Sequence, residues 1–403
     1  MSHHPATPRE QRRPPPVPGP VGAPSWPAEE PEIAPVETAP VIVRATLQLY
    51  CLYDLADALD LDRARTCLAT LPLAQRPVVS RGASIEMPQL PLAVGLGPVD
   101  APLPGAAGQA RLEARLYDLG IVALCVHIPL AAPLDWVAAA DVLGDAQDMP
   151  AWADELFATS IATLRDLVAP ALIRPNATVR EEDYIILAVD RLGEGPPASH
   201  LARHPQLLQA ALGERKRLSA NAASLATTLS YYDDDLILLT WNTAIIIDPE
   251  EDARQDAALL LEFANAQLLA FRTYDARVDA DLAALTPRVA RTRRLWWLPL
   301  VVSSRRFLSE VHGLIADITD TSAQVENALR VTEDVYWNRV YAAALTVLRV
   351  EVFRAGVADG LRVLRETASL LHDESEASWT SLLELLVIVL IAVELVVAIL
   401  GLR

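Results

Sequence analysis

The C-terminal stretch, Leu382 to Arg403, reads LLELLVIVLIAVELVVAILGLR. From Leu385 to Leu402 it is apolar except for Glu394. A helix needs about 20 consecutive apolar residues to cross the hydrocarbon core of a bilayer, and a soluble helix of this length usually keeps a polar face. The stretch therefore predicts one C-terminal transmembrane helix, as an anchor over residues 377–403.

Two glutamates within this stretch predict contact between copies of the chain. A carboxylate near the middle of a bilayer costs about 2.5–3.5 kcal/mol on insertion scales, so Glu394 would need a proton or a polar partner on a neighbouring helix. Glu384 lies about 15 Å earlier along the helix axis and could reach the lipid headgroups. We therefore expect Glu384 and Glu394 to be intramembrane oligomer contacts, with a proton pathway at Glu394 as the alternative.

Composition limits the classes of partner and the compartment. The 403-residue chain has a net charge of −18, and its single lysine is Lys216, so no broad nucleic-acid surface is expected. Three widely spaced cysteines, Cys51, Cys67 and Cys125, suit reduced core residues rather than disulfides. No N-terminal charged-then-apolar signal segment occurs. The expectation is a single-pass protein with most of its chain in the cytoplasm.

Residues 1–40 and 41–250 differ in pattern. The first segment contains twelve of the thirty prolines and no apolar periodicity, which predicts a disordered proline-rich arm. The second mixes strand-like and helix-like periods, which predicts an α+β domain. Its predicted elements are a strand at 41–50, a helix at 54–71, a hairpin at 110–129 around Asp118-Leu119-Gly120, a helical stretch at 136–172 broken at Pro150, a strand at 182–192, a helix at 200–212, and strands at 236–240 and 244–247 around Trp241-Asn242.

Residues 251–376 are predicted to form a helical hairpin and coiled-coil region. Asp248-Pro249-Glu250-Glu251 has the spacing of a helix start, and an apolar face continues to about Pro287. Residues 307–371 are also helical in pattern. Coiled-coil spacing then precedes the anchor, at Leu361, Leu364, Ala368 and Leu371.

The segment between these helices, 288–306, combines arginines with two adjacent tryptophans. Tryptophan flanked by arginine is typical of a membrane interface. The candidate interface residues are Arg293, Arg294, Trp296 and Trp297. The alternative is a hairpin loop that packs its tryptophans against a neighbouring helix.

Few patterns in the chain indicate chemistry. Glu262, Asn265 and Arg272 fall within about a quarter-turn of one another on a helix, which favours an interdomain hydrogen-bond network over a catalytic set. The adjacent aspartates 233–235 point in different directions on a turn, so a metal site there is not favoured. No phosphate-binding glycine loop, G-x-S-x-G elbow or His/Cys zinc spacing occurs. The sequence predicts no cofactor, no metal and no catalytic residue.

Several of these segments resemble the "required for meiotic nuclear division" family of unknown function. The similar segments are 231–236 (YYDDDL), 241–244 (WNTA), 262–269 (EFANAQLL) with Arg272, Tyr274 and Asp275, 326–329 (ENAL), 383–394 and the hairpin turn 117–120. The resemblance implies a bacterial counterpart of a mitochondrial inner-membrane protein that forms large assemblies and supports organellar translation. It implies no catalytic residues, because none is established for the family.

The sequence-based hypothesis is a non-enzymatic, self-associating scaffold or tether. It would be held at the bacterial inner membrane by its C-terminal helix and would form a homo-oligomer. A membrane tether that contacts a ribosome, RNA or another protein is one alternative. The other is an enzyme with a site near Tyr231 to Asn242.

Overall fold

The computed structural model describes residues 41–71, 89–147, 149–214, 225–294 and 334–401, with a few isolated positions between them. The predicted proline-rich arm, residues 1–40, lies outside the described residues. The strands are β1 (Val41–Ile42), β2 (Ala45–Leu59), β3 (Leu92–Val99), β4 (Ala110–Leu116), β5 (Ile121–Pro129), β6 (Leu134–Asp135), β7 (Leu172–Val189), β8 (Thr227–Leu229), β9 (Leu236–Leu239) and β10 (Thr243–Ile247). The helices are α1 (Leu61–Cys67), α2 (Trp136–Ala146), α3 (Ala151–Val168), α4 (Pro197–Arg203), α5 (Gln206–Ala211), α6 (Glu251–Arg294), α7 (Val335–Val347) and α8 (Val350–Gly401).

Eight of these strands form one mixed sheet, in the order β3-β4-β5-β2-β7-β10-β9-β8. All neighbours are antiparallel except β7 and β10, which are parallel. β1 and β6 pair separately. The predicted α+β domain with a large sheet is therefore observed.

Helices cover both faces of the sheet. Alternate side chains of β2 point to opposite sides: Leu47 and Leu49 belong to a core cluster with residues of α1, α2, α3 and α5. Tyr50 and Leu52 belong to a second cluster with α6, α7 and α8. The α6 side of the sheet is the side that contains most of the buried polar residues discussed below.

The predicted helix at 54–71 is wrong in its first half, because β2 continues as a strand to Leu59. β2 lies between β5 and β7 and is buried on both faces, so its apolar residues do not alternate with polar ones. That pattern is easily mistaken for a helix. Only α1 is helical, with Asp60 as its N-cap accepting a hydrogen bond from the Arg63 amide at 3.0 Å.

The predicted hairpin is confirmed as β4 and β5, with its turn at Asp118-Leu119-Gly120. Gly120 has φ of 78°, a left-handed conformation that glycine adopts without steric cost. A Cβ at this position would overlap the carbonyl oxygen of Ala56 on β2. The turn therefore packs directly on the irregular part of β2, where the register shifts between Asp54 and Ala56.

α6 begins close to the predicted position. It is the central helix of the layer that α6, α7 and α8 form on one face of the sheet. The Asp248 carboxylate accepts a hydrogen bond from the Glu250 amide at 2.7 Å just before the helix. The helix continues past Pro287 to Arg294. Phe263 and Leu269 lie away from the main apolar face of the helix and are both buried, so α6 is buried on two sides.

α7 and α8 run in the same direction as α6. Tyr341 of α7 donates a hydrogen bond to Gln267, and further along, Gly360 of α8 faces Val278. Leu361 and Leu364 are buried in this intramolecular cluster, so these two members of the coiled-coil spacing pack within the chain. The predicted hairpin loop, 288–306, is wrong in its first part, because α6 remains helical to Arg294, and residues 295–306 lie outside the described part of the chain.

The prediction of a C-terminal transmembrane anchor is wrong. Within the described residues, no helix is long and apolar enough to cross a membrane. The stretch forms the end of the 52-residue helix α8. Within this stretch, side chains are described only from Val387 to Leu395.

Candidate functional site

The main concentration of buried polar side chains in the described structure lies between α6 and the sheet. We call it the α6 seam. Its members come from β2, from β4 and the turn after it, from β5 and β7, and from α6. They are Gln48, Tyr50, Asp54, Asp57, Glu113, Arg115, Tyr117, Cys125, His127, Glu182, Glu262, Asn265, Arg272 and Arg277.

Glu262 is the central acid of the seam and is only 1% exposed. Its carboxylate accepts a hydrogen bond from the Tyr117 hydroxyl at 2.7 Å and forms an ion pair with Arg115. The Arg115 guanidinium also lies 3.6 Å from Glu113. Burial is the largest single effect and lowers the pKa of Arg115, but Glu262 together with its other neighbours raises that pKa well above its ordinary value, so this guanidinium stays charged. The arrangement ties α6 to β4 through a desolvated ion pair with an additional hydrogen bond.

A second group of the seam lies beside this ion pair on β2 and β5. Tyr50 faces Cys125 across the strands and donates a hydrogen bond to Gln48 at 2.8 Å. His127 lies 3.5 Å from Glu113. Burial lowers the pKa of His127, while the neighbouring Cys125 and Glu113 side chains raise it to about 10. His127 is therefore an imidazolium paired with Glu113, rather than a general base poised near neutral pH.

Arg272 connects α6 to two other elements. It forms an ion pair with Glu182 of β7, and its guanidinium lies 6.0 Å from the ring centroid of Phe353 on α8. Burial raises the pKa of Glu182, and the charge of Arg272 opposes this. The side chain therefore contacts the sheet on one side and the second helix layer on the other.

Asp57 closes the seam at the end of β2. Its carboxylate lies 2.8 Å from Arg174 of β7 and 2.7 Å from Arg277 of α6. Arg174 has φ of 52°, a left-handed conformation that is uncommon for a residue other than glycine. Two arginines thus neutralise one buried carboxylate and join three elements.

Asp54 lies near Asp57 on β2 and is also buried, and the nearby positive charges offset the effect of burial on its pKa only in part. Burial is the main cause that raises its pKa to about 7, and the negative charge of Asp57 adds to the increase. The nearby Thr273 hydroxyl and the charges of Arg180 and Arg277 oppose the increase. Asp54 is consequently the seam carboxyl whose protonation changes near neutral pH.

Asn265 behaves differently from the two charged residues predicted with it. Its side-chain nitrogen donates to the Leu261 carbonyl at 2.9 Å, within α6, and its side-chain oxygen is buried without a partner. Glu262 and Arg272 contact different strands, β4 and β7. The three residues thus lie along one helix but do not form a single cluster.

Sequence reasoning missed the sheet residues that complete the seam. Arg111, Glu113 and Arg115 alternate with apolar residues on β4, and this period-two pattern indicates a polar strand face. His127 continues that face on β5. The pattern does not predict which helix this polar face contacts, because Arg115 and Glu262 are 147 residues apart in the chain.

The stretch from Tyr231 to Asn242 is a turn, the strand β9 and a second turn. Asp235 is buried, and its carboxylate accepts hydrogen bonds from the Tyr231 and Tyr232 amides at 2.8 and 3.1 Å. Asp233 and Asp234 are exposed. Across the described part of the chain, no group of three or more His, Cys, Asp or Glu side chains is placed to hold a metal ion.

The structure describes the remaining predicted residues only in part. Arg293 and Arg294 are the last residues of α6, but their side chains are not among those described. Trp296 and Trp297 lie outside the described residues, as does the side chain of Glu384. Glu394 is exposed on α8.

Comparison with known families gives one match. The model described as "Uncharacterized protein MJ0711, N-terminal domain" matches residues 44–253. This range covers β2 to β10 and ends at the start of α6. No curated protein and no solved structure matches the chain. The resemblance to the "required for meiotic nuclear division" family is not confirmed by this match. Because the matched range is just over half of the chain, the chain belongs to the family of the Uncharacterized protein MJ0711, N-terminal domain.

Proposed function

We propose that the chain is a non-catalytic scaffold that self-associates through the end of α8. The observation that carries the proposal is the exposure of Val387, Ile388, Val389, Leu390, Ile391, Val393 and Leu395, which are each 53–64% exposed. These residues surround the helix rather than forming one stripe, since they occupy nearly every position of the run. Contiguous apolar surface of this kind marks an interaction site.

The run lies far along α8 from the described residues of this helix that are buried against the rest of the chain. The last buried residue of α8 in the core cluster is Leu364, and Val387 lies about 35 Å further along the axis at 1.5 Å per residue. The run therefore lies well beyond the described residues of α8 that pack on α6.

A second copy is the occupant that fits this run best. Identical helices present identical apolar surfaces, which suits a symmetric contact between copies. Fully burying a Val, Leu or Ile side chain contributes about 1.5–3 kcal/mol, so seven such residues per chain can offset an association cost of about 4–15 kcal/mol. The only charge within the described run is Glu394.

The α6 seam supports a structural role for the rest of the fold. Glu262, Asp57 and Glu182 are each paired with an arginine of another element. Such pairs fix α6 on the sheet, which is a structural use of these charges. The proposed activity is accordingly to hold copies of the family domain together in a defined assembly.

The mass of the full chain in solution tests the proposal. We expect an oligomer for the native sequence and a monomer for the variant Ile388→Asp/Ile391→Asp/Leu395→Asp, measured by sedimentation or light scattering. The control is Val352→Asp, because Val352 is 64% exposed on the same helix but lies outside the run. The proposal fails if the native chain is monomeric, or if the triple variant keeps the native mass.

A further inference from the structure

We infer that the aromatic surface formed by Tyr231, Tyr232 and Tyr336 is a docking site for an arginine-bearing segment of a partner protein. Tyr231 is 62% exposed and Tyr232 is 66% exposed. Tyrosine is enriched at protein interfaces because it offers a large apolar area together with a polar tip. This inference concerns a surface that the proposed self-association does not use.

The surface is held rigidly. Buried Asp235 fixes the turn by accepting hydrogen bonds from the Tyr231 and Tyr232 amides. The rings of Tyr231 and Tyr232 meet edge to face at 4.7 Å between centroids, and Tyr231 lies 5.2 Å from Tyr336. Tyr336 in turn lies 5.2 Å from the buried Trp337. A surface that is already ordered loses little conformational entropy on binding.

One helix, α7, and two strands, β8 and β9, meet at this surface. Asp334 caps α7 by accepting hydrogen bonds from the Tyr336 and Trp337 amides at 2.8 and 3.1 Å. The turn that carries Tyr231 joins β8 to β9 at the end of the sheet. The surface thus combines the turn before β9 with the first turn of α7.

The charges around the three tyrosine rings indicate what kind of side chain binds to them. Asp233 and Asp234 are exposed on the same turn, and Asp235 and Asp248 lie close enough to act on the hydroxyl of Tyr336. Arg339 is the basic residue whose charge also reaches this ring. Open aromatic faces beside carboxylates suit a cation that can both stack and form hydrogen bonds. The planar guanidinium of arginine does both, whereas the ammonium of lysine does not stack as a plane.

Binding of a fluorescein-labelled peptide of alternating arginine and glycine, followed by anisotropy, tests the inference. Peptides with lysine or glutamate in place of arginine are the matched probes. We expect the arginine peptide to bind several-fold more tightly than the lysine peptide, because of stacking, and the glutamate peptide not to bind. A chain with net charge −18 attracts any polycation, so the difference between arginine and lysine is the informative quantity.

Variants distinguish contact of the peptide with the tyrosine rings from its general electrostatic attraction to the acidic chain. Tyr231→Ala/Tyr232→Ala should weaken arginine-peptide binding by about tenfold or more, whereas Tyr231→Phe/Tyr232→Phe should retain most of it. Asp233→Asn/Asp234→Asn should weaken binding mainly at low salt. The control is Trp241→Ala, since Trp241 is 40% exposed and lies at the other end of β9.

Equal affinity for the arginine and lysine peptides, or native affinity in the Tyr231→Ala/Tyr232→Ala variant, would overturn the inference. Circular dichroism of each variant establishes that it is folded. The same titration on Ile388→Asp/Ile391→Asp/Leu395→Asp should give the native affinity. Loss of self-association and loss of peptide binding are therefore observed separately.

Discussion

At the residue scale, the buried ion pair of Glu262 with Arg115 determines how firmly α6 is held on the sheet. Removing one partner of a buried ion pair leaves an uncompensated charge, which typically costs about 3–5 kcal/mol. We expect Glu262→Gln to lower the free energy of unfolding by that amount in denaturant titrations. The Tyr117 hydroxyl, 2.7 Å from the same carboxylate, adds to the loss.

The matched control is Glu351→Gln on α8. Glu351 forms an exposed ion pair with Arg354 at 3.0 Å, and exposed pairs contribute about 0–1 kcal/mol. A similar loss of stability in the two variants would show that the Glu262 pair is no more important to the fold than a surface pair.

The raised pKa of Asp54 predicts that the stability of the folded chain depends on pH. Its pKa is about 7 in the folded chain and about 3.9 in an unfolded one, so the folded state binds the proton more tightly. The stabilising contribution is complete below pH ~4 and is lost as the pH rises through about 7. We expect the native chain to lose about 2–4 kcal/mol of stability between pH 4 and pH 8 through this group.

The variant Asp54→Asn isolates this contribution, because the amide does not titrate and other groups affect both proteins equally. The free energy of unfolding of the native chain minus that of the variant should fall as the pH rises from 5 to 8. A difference that stays constant over this range would mean that Asp54 keeps an ordinary pKa.

At the element scale, the close contact of α6 with α8 depends on Gly360. A Cβ at Gly360 would overlap the branched side chain of Val278 on α6. Replacing glycine by alanine within a helix normally stabilises it by about 1 kcal/mol. Because Val278 is buried and rigid at χ1, we expect Gly360→Ala to lower the melting temperature instead.

Gly356, one turn earlier on α8, is the internal control. A Cβ at Gly356 would meet the carboxylate of Asp275, which is the mobile end of its side chain and can rotate away. We expect Gly356→Ala to keep or raise the melting temperature. Equal effects of the two substitutions would show that α6 and α8 do not pack at this spacing in solution.

The elements that the sequence predicts well are those whose signals are local. The β4–β5 hairpin has its turn residues in place at Asp118-Leu119-Gly120, and the start of α6 has Asp248 before Pro249. The strand β2 is misread because both of its faces are buried. Its apolar run therefore lacks the alternation that distinguishes a half-buried strand.

The candidate site shows the same division between local and long-range information. The position of Glu262 and Arg272 on a helix follows from their spacing, but their partners depend on the pairing of distant strands. Residues 361–371 show a further limit: coiled-coil spacing identifies an apolar helix face and not its partner, and Leu361 and Leu364 pack within the same chain.

At the scale of the whole molecule, the described residues from Val41 onward comprise one large sheet, the helices packed on it, and the exposed apolar run of α8. The sheet is covered by small helices on one face and by α6, α7 and α8 on the other. The buried ion pairs fix α6, and α8 carries the exposed apolar run away from this core. The central claim is that copies of the chain meet along that run.

Cross-linking between copies is the most direct measurement of this claim. Single cysteines are introduced at positions from Val387 to Leu395 in a Cys67→Ser background, since Cys51 and Cys125 are buried. A disulfide forms only where two Cα atoms come within about 7 Å. We predict covalent dimers that recur every three or four positions along the run, and none for the control Val352→Cys. Absence of dimers along the run, or equal yields at Val352 and the run, would contradict the account.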